Sequence, residues 1–189
     1  MFNIFRKRQV EEITSVPVSA GRVAVFIDGQ NTFQAAEEAY ESSPFIKALE
    51  VAIRKSLGDN ETVVRKYFYQ HPDSLSESFE GSLLRNVWVV RKTRGDGDAE
   101  IIQDVWECST LVNKVVLVTG DGHFVRTLQY LKSMGKKIVV MAVPNRSCNP
   151  ILRNSADGFI PITKEMTMSG GDKKPFHQRE PKGLALVVG

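Results

Sequence analysis

Residues 22–31 read RVAVFIDGQN: five β-prone apolar residues, Val23–Ile27, that run directly into Asp28, Gly29, Gln30 and Asn31. A short run that is apolar at every position belongs to a strand covered on both faces, as in a parallel sheet; a half-exposed strand would alternate. Comparable runs recur at Thr62–Tyr69, Val87–Arg91, Val115–Thr119 and Lys137–Ala142, and a shorter piece at Gly158–Pro161 suits a sheet edge. Helices are expected between them at Pro44–Leu57, Asp73–Leu84, Ala99–Leu111 and His123–Met134. The first has Pro near its start, apolar residues at helical spacing and Gly58 just past its end. Strand and helix alternating in this way predict an α/β protein: a three-layer α/β/α domain around a mainly parallel central sheet.

The chain has 189 residues, 42% hydrophobic and 25% charged, with a mean hydropathy of −0.20. One domain of this size buries enough apolar surface to fold without metal or disulfide staples, so Cys108 and Cys148 need not pair. No stretch approaches the roughly 18 apolar residues of a membrane span, and no signal-peptide core is visible near the start. The expectation is a cytoplasmic chain with no membrane span. The net charge of +3 lies in the ends. Arg6, Lys7, Arg8 and Arg22 face only Glu11 and Glu12, and Lys173, Lys174, Arg179 and Lys182 face only Asp172 and Glu180, which leaves the body slightly acidic. The expected division is a flexible basic arm at 1–21, a catalytic-sized domain at 22–165 and a flexible basic tail at 166–189. The arms are candidate contacts for a polyanion, a protein partner or a second copy of the chain.

In open α/β sheets, functional groups collect where parallel strands end. Asp28 follows the first strand, Asp121 follows the fourth, and Asp96 and Asp98 come shortly after the third, at the mouth of the next helix. Carboxylates that converge repel one another unless a cation or a proton intervenes. Oxygen ligands suit a hard divalent ion, Mg2+ or Mn2+. Held by Asp28, Asp98 and Asp121, such an ion would bind a phosphate oxygen and lower the pKa of a bound water for in-line attack, which is phosphodiester hydrolysis. The alternative for each Asp is a helix cap or turn residue.

Four motifs, FIDGQN (26–31), RGDGDAEIIQD (94–104), TGDGHF (119–124) and LRNSADGFI (152–160), occur in this order and together resemble the NYN domain. That family is PIN-like and includes the LabA-like proteins; the resemblance spans about residues 22–162. It implies a PIN-like, Rossmann-like fold and a metal-dependent ribonuclease, a hydrolase that leaves 5′-phosphate and 3′-hydroxyl ends. Family members show I-D-G-x-N, K-G-x-D-x-x-L-x-x-D and S-G-D-S-D-F elements. By position, Asp28 and Asn31 match the first element, Asp98 and Asp104 the second, and Thr119 and Asp121 the third. His123 stands where the third element has its second aspartate, and Asp96 is an additional acid. Weaker metal binding or a preference for Mn2+ follows if His123 is not a ligand.

The catalytic set is therefore Asp28, Asn31, Asp98 and Asp121, with Asp96, Asp104, Thr119 and His123 as secondary candidates. Asn31 would orient a water or hold Asp28, or else cap a helix. Asp104 lies about one and a half turns beyond Asp98, which suits a supporting role as well as a ligand. Arg91, Lys92 and Arg94 could bind RNA phosphates. Trp88 and Trp106, both in apolar periodic runs, are expected in the core, and Tyr67 and Tyr69 in strand packing. RNA is the expected substrate, with DNA left open because no residue is assigned to reading a 2′-hydroxyl. The competing readings are an RNA-binding or regulatory module weakened by His123, and a nucleotide-binding domain; for the latter the G-x-G-x-x-G and G-K-[ST] signatures are missing.

Overall fold

The computed structural model describes residues 21–144 and 147–167. The two arms expected at the chain ends lie almost wholly outside these residues. Six strands are described: β1 (Gly21–Asp28), β2 (Glu61–Gln70), β3 (Val89–Lys92), β4 (Lys114–Val118), β5 (Lys137–Ala142) and β6 (Gly158–Pro161). They form one sheet of order β3-β2-β1-β4-β5-β6, and every pairing is parallel. Six α-helices connect them: α1 (Gly29–Tyr40), α2 (Ile46–Lys55), α3 (Glu77–Arg85), α4 (Asp98–Ser109), α5 (Val125–Ser133) and α6 (Pro150–Ser155).

Alternation along β1 produces the layers. Val23, Val25 and Ile27 pack toward Phe33 and Ala36 of α1, Leu49 and Ile53 of α2 and Leu83 of α3. Ala24 and Phe26 face the other way, onto Ile101 and Val105 of α4, Leu128 and Leu131 of α5 and Leu152 of α6. Burial on both sides is why β1 carries no polar residue between Val23 and Ile27. Each fully buried aliphatic side chain in these two clusters contributes about 2 kcal/mol.

Two helices, α1 and α6, fall outside the sequence expectation. The apolar face of α1 is narrow, made by Phe33 and two alanines, and its first residue is glycine; Asp28 starts it as N-cap, with its side chain accepting from the Asn31 amide. Helix α6 has only six residues and is started by Asn149, which accepts from Ile151 and Leu152. The helix expected at Asp73–Leu84 breaks into a 3-10 turn, Pro72–Ser74, and α3, capped by Ser76. Likewise His123 lies in a 3-10 turn, Gly122–Phe124, ahead of α5. Trp88 is buried as expected, but Trp106 is 52% exposed, because it projects from α4 beside α5 rather than beneath it. No helix among the described residues is long and apolar enough to cross a membrane.

The strand order reverses between β1 and β4, the two central strands, which run on into opposite halves of the sheet. A crevice opens at the carboxyl end of such a pair. Asp28 ends one strand there and Thr119 follows the other.

Candidate metal centre

The loops leaving β1 and β4 are tied together by side chains at that crevice. Asp28 accepts from the Asn31 amide through Oδ1 (3.1 Å) and from the Thr119 hydroxyl through Oδ2 (3.0 Å). The Asn31 side chain reaches Asp28 only through the Thr119 hydroxyl, which lies within hydrogen-bond distance of both. Its Oδ1 accepts from the Gly120 amide at 2.8 Å and so braces the β4 loop. Thr119 Oγ1 in turn accepts from the Asp121 amide at 3.1 Å, fixing the backbone that carries the next carboxylate. Gly29 has to be small, since a Cβ there would stand 2.6 Å from the Tyr69 carbonyl oxygen.

Asp28 is only 3% exposed. Burial pushes its carboxyl up to about 7, and the negative charges of Asp98 and Asp121 push the same way, against the hydrogen bonds from Asn31 and Thr119. The cap role that competes with a chemical one is thus real, yet a cap alone does not call for a carboxyl so deeply buried among like charges.

Asp98 is the first residue of α4. It follows Gly97, whose positive φ of 79° suits glycine and whose missing side chain leaves room for Thr93. Asp96 precedes the Gly97 N-cap, accepts from the Asp98 amide at 3.3 Å and stays exposed. Asp121 accepts from the His123 amide at 2.9 Å. That turn directs the His123 ring back toward the acids: Nδ1 lies 2.9 Å from Asp98 Oδ2 and 3.4 Å from Asp121 Oδ1. Burial raises the Asp98 carboxyl above its ordinary value, partly offset by His123. The hydrogen bond to Asp98, with the charge of Asp121 behind it, holds the His123 imidazole above its ordinary value.

One ligand atom each from Asp98, Asp121 and His123 lies within 4.8 Å of the others. Metal–oxygen bonds of about 2.0–2.6 Å allow one ion to reach atoms up to roughly 5 Å apart, so the three fit a single divalent cation. Two carboxylates and an imidazole make a mixed oxygen and nitrogen donor set of the kind a divalent cation can use. The tight cluster therefore contains His123, while Asp28 stands behind Asp98 and Asp121, close enough to feel both charges.

The remaining candidates disperse. Asp104 is buried and turned away from the cluster: it takes a bidentate ion pair from Arg91 (3.0 and 3.1 Å) and the Tyr69 hydroxyl at 2.8 Å. Lys92 pairs with Glu80 at 2.9 Å. Arg94 is exposed and makes no hydrogen bond or ion pair among the described residues. Gly120 and Gly122 pack against the Ser147–Asn149 segment, a neighbour that the motif spacing did not signal.

Comparison with known proteins gives three results. The family model of the NYN domain matches residues 22–163. A crystal structure of a Vibrio parahaemolyticus protein of unknown function is similar at 25% identity, with a TM-score of 0.67, over 79% of this chain and 97% of that one. Among curated proteins there is no match.

Proposed function

This chain belongs to the NYN domain family, which is nuclease-related, and on that premise we propose that it is a ribonuclease that hydrolyses RNA phosphodiester bonds with a divalent cation. The observation that carries the reading is the convergence of Asp98, Asp121 and His123 in front of the buried Asp28, at the point where the strand order reverses. Asp98, Asp121 and His123 would hold Mg2+ or Mn2+, with Asp28 adding charge from behind. The cation, when bound, supplies Lewis-acid polarisation of a phosphate oxygen and activation of a water. The protein's own groups do the positioning. Asn31 pins Gly120, Thr119 pins Asp121, and Asp98 is presented at the start of α4, so the acids are preorganised before substrate arrives. Without a cation, burial favours the protonated form of Asp28 and the neighbouring carboxylates that of His123, which lowers the negative charge that would repel a polyanion. Arg94, exposed and unpaired among the described residues, and the basic arms would attract the phosphate backbone.

Incubating single-stranded RNA, and DNA of the same sequence, with Mn2+, Mg2+ or EDTA tests this. Cleavage with metal, none in EDTA, and loss in Asp98→Asn and Asp121→Asn are expected. Cleavage that survives the double variant would overturn the assignment.

A second reading is favoured by His123 itself, whose ring is hydrogen-bonded into the cluster and, when protonated, occupies the position a cation needs. On that reading the protein binds RNA without turnover. RNA binding without cleavage in either metal, together with gain of cleavage in His123→Asp, would select it.

A further inference from the structure

Helix α4 meets α5 and the turn ahead of it at two places: Asp98 against His123 of the turn, and Trp106 against Tyr130 of α5, with ring centroids 5.7 Å apart at 53°. Trp106 lies two turns after Asp98, about 12 Å along the axis. Both rings are exposed, Trp106 by 52% and Tyr130 by 49%. Large aromatic side chains standing together in solvent expose apolar area that the fold does not use. Arg126 lies one turn before Tyr130 on α5 and three residues after His123; it is exposed and unpaired among the described residues. Glu107, the nearest acid in sequence, is hydrogen-bonded to Gln103 at 3.0 Å. A path therefore leads from the metal cluster past a free guanidinium to an open pair of aromatic rings.

We propose that this α4–α5 track is a binding subsite for single-stranded RNA, with Arg126 on a backbone phosphate and a base stacked on Trp106 and Tyr130. The inference rests on the ribonuclease reading. It takes its occupant from continuity with the candidate catalytic cluster and from the charge of Arg126, since a protein partner would not require a cation between the acids and the rings. Aromatic platforms beside basic side chains are how single strands are held without sequence readout. The axial offset of about 12 Å between Asp98 and Trp106 sets the platform beyond the residues that would hold the reacting phosphate, so a longer strand engages both better than a dinucleotide does.

The test uses the full chain in EDTA, where binding is separated from turnover, and oligouridylates of about two and eight nucleotides. Trp88 is buried and Trp106 is exposed, so intrinsic fluorescence reports on Trp106. The octamer is expected to quench it, and the dimer is not. By anisotropy of end-labelled oligomers, which does not depend on Trp106, Trp106→Ala or Tyr130→Ala is expected to weaken octamer binding about ten-fold while leaving dimer binding unchanged, and Trp106→Phe to restore most of the affinity. Octamer affinity unchanged in both alanine variants, or a change in oligomeric state with no effect on RNA, would overturn the subsite. Metal-dependent cleavage with unchanged octamer affinity sinks the track and leaves the nuclease standing. Platform-dependent binding without cleavage does the reverse.

Discussion

His123 Nδ1 and Asp98 Oδ2 stand 2.9 Å apart across the mouth between the Gly122–Phe124 turn and α4, with Asp121 Oδ1 at 3.4 Å from the same nitrogen. A proton on this nitrogen, which the neighbouring carboxylates favour, lies in the place where a cation would sit. A metal has to displace that proton, and the two compete.

The competition has a sign. The imidazole is held above its ordinary value of 6.5, so it is protonated and unable to ligate below that raised value. Mn2+ affinity, measured by titration calorimetry, is expected to rise as pH climbs from below 6.5 through the raised imidazole value. His123→Asp, which restores the family's acid, is expected to bind Mg2+ about ten-fold more tightly and to lose most of that rise. Equal affinities across the range in the parent protein would count against His123 as a ligand.

Asp28 couples stability to pH. Its carboxyl titrates near 3.8 when unfolded and at about 7 when folded, so between these values the native state holds a proton that the unfolded state has lost. Metal-free stability is greatest below 3.8 as far as this group is concerned, and falls as pH rises through 7. At 1.36 kcal/mol per unit the ceiling is about 4 kcal/mol. Asp28→Asn keeps the acceptor for the Asn31 amide and is expected to melt higher than the parent at neutral pH, with a flatter pH profile and no cleavage. A variant that melts lower at every pH contradicts the buried-charge account.

Asp104 matches a family motif yet serves Arg91 and Tyr69. Asp104→Ala leaves the Tyr69 hydroxyl buried without its acceptor and Arg91 without its carboxylate. A loss of about 2 kcal/mol in denaturant unfolding is expected, allowing for the partial exposure of Arg91. Metal affinity should be unchanged; a large drop would put Asp104 in the metal site.

Gln70 closes β2 with its side-chain oxygen and nitrogen both buried and without hydrogen-bond partners among the described residues. Such an amide costs about 1–3 kcal/mol. Gln70→Met, close in shape, is expected to raise stability by about 1 kcal/mol. Destabilisation on chemical denaturation would show that the amide has a partner after all.

Much of the architecture follows from local pattern. Val23–Ile27 and Val115–Val118 are apolar at every position because both faces are covered, and that alone predicts central parallel strands with acids at their ends. The motif order from Asp28 to Asp121 is enough to place the chain in its family. What local pattern could not decide was which side chains would meet. Trp88 and Trp106 sit in similar apolar runs, yet only the first is buried, because burial depends on the element that packs above it. Asp28 is driven toward neutrality by burial and by the charges of Asp98 on α4 and Asp121 in the loop after β4, groups far from it in the chain. Asp104 and Asp98 share one helix, and six residues of rotation turn the first toward β2 and the second toward His123. Local pattern is enough for the strands, the layers and the edge where acids gather. Only the tertiary structure decided which acids share a charge, since desolvation and Coulomb interaction depend on distance in space and not on spacing along the chain.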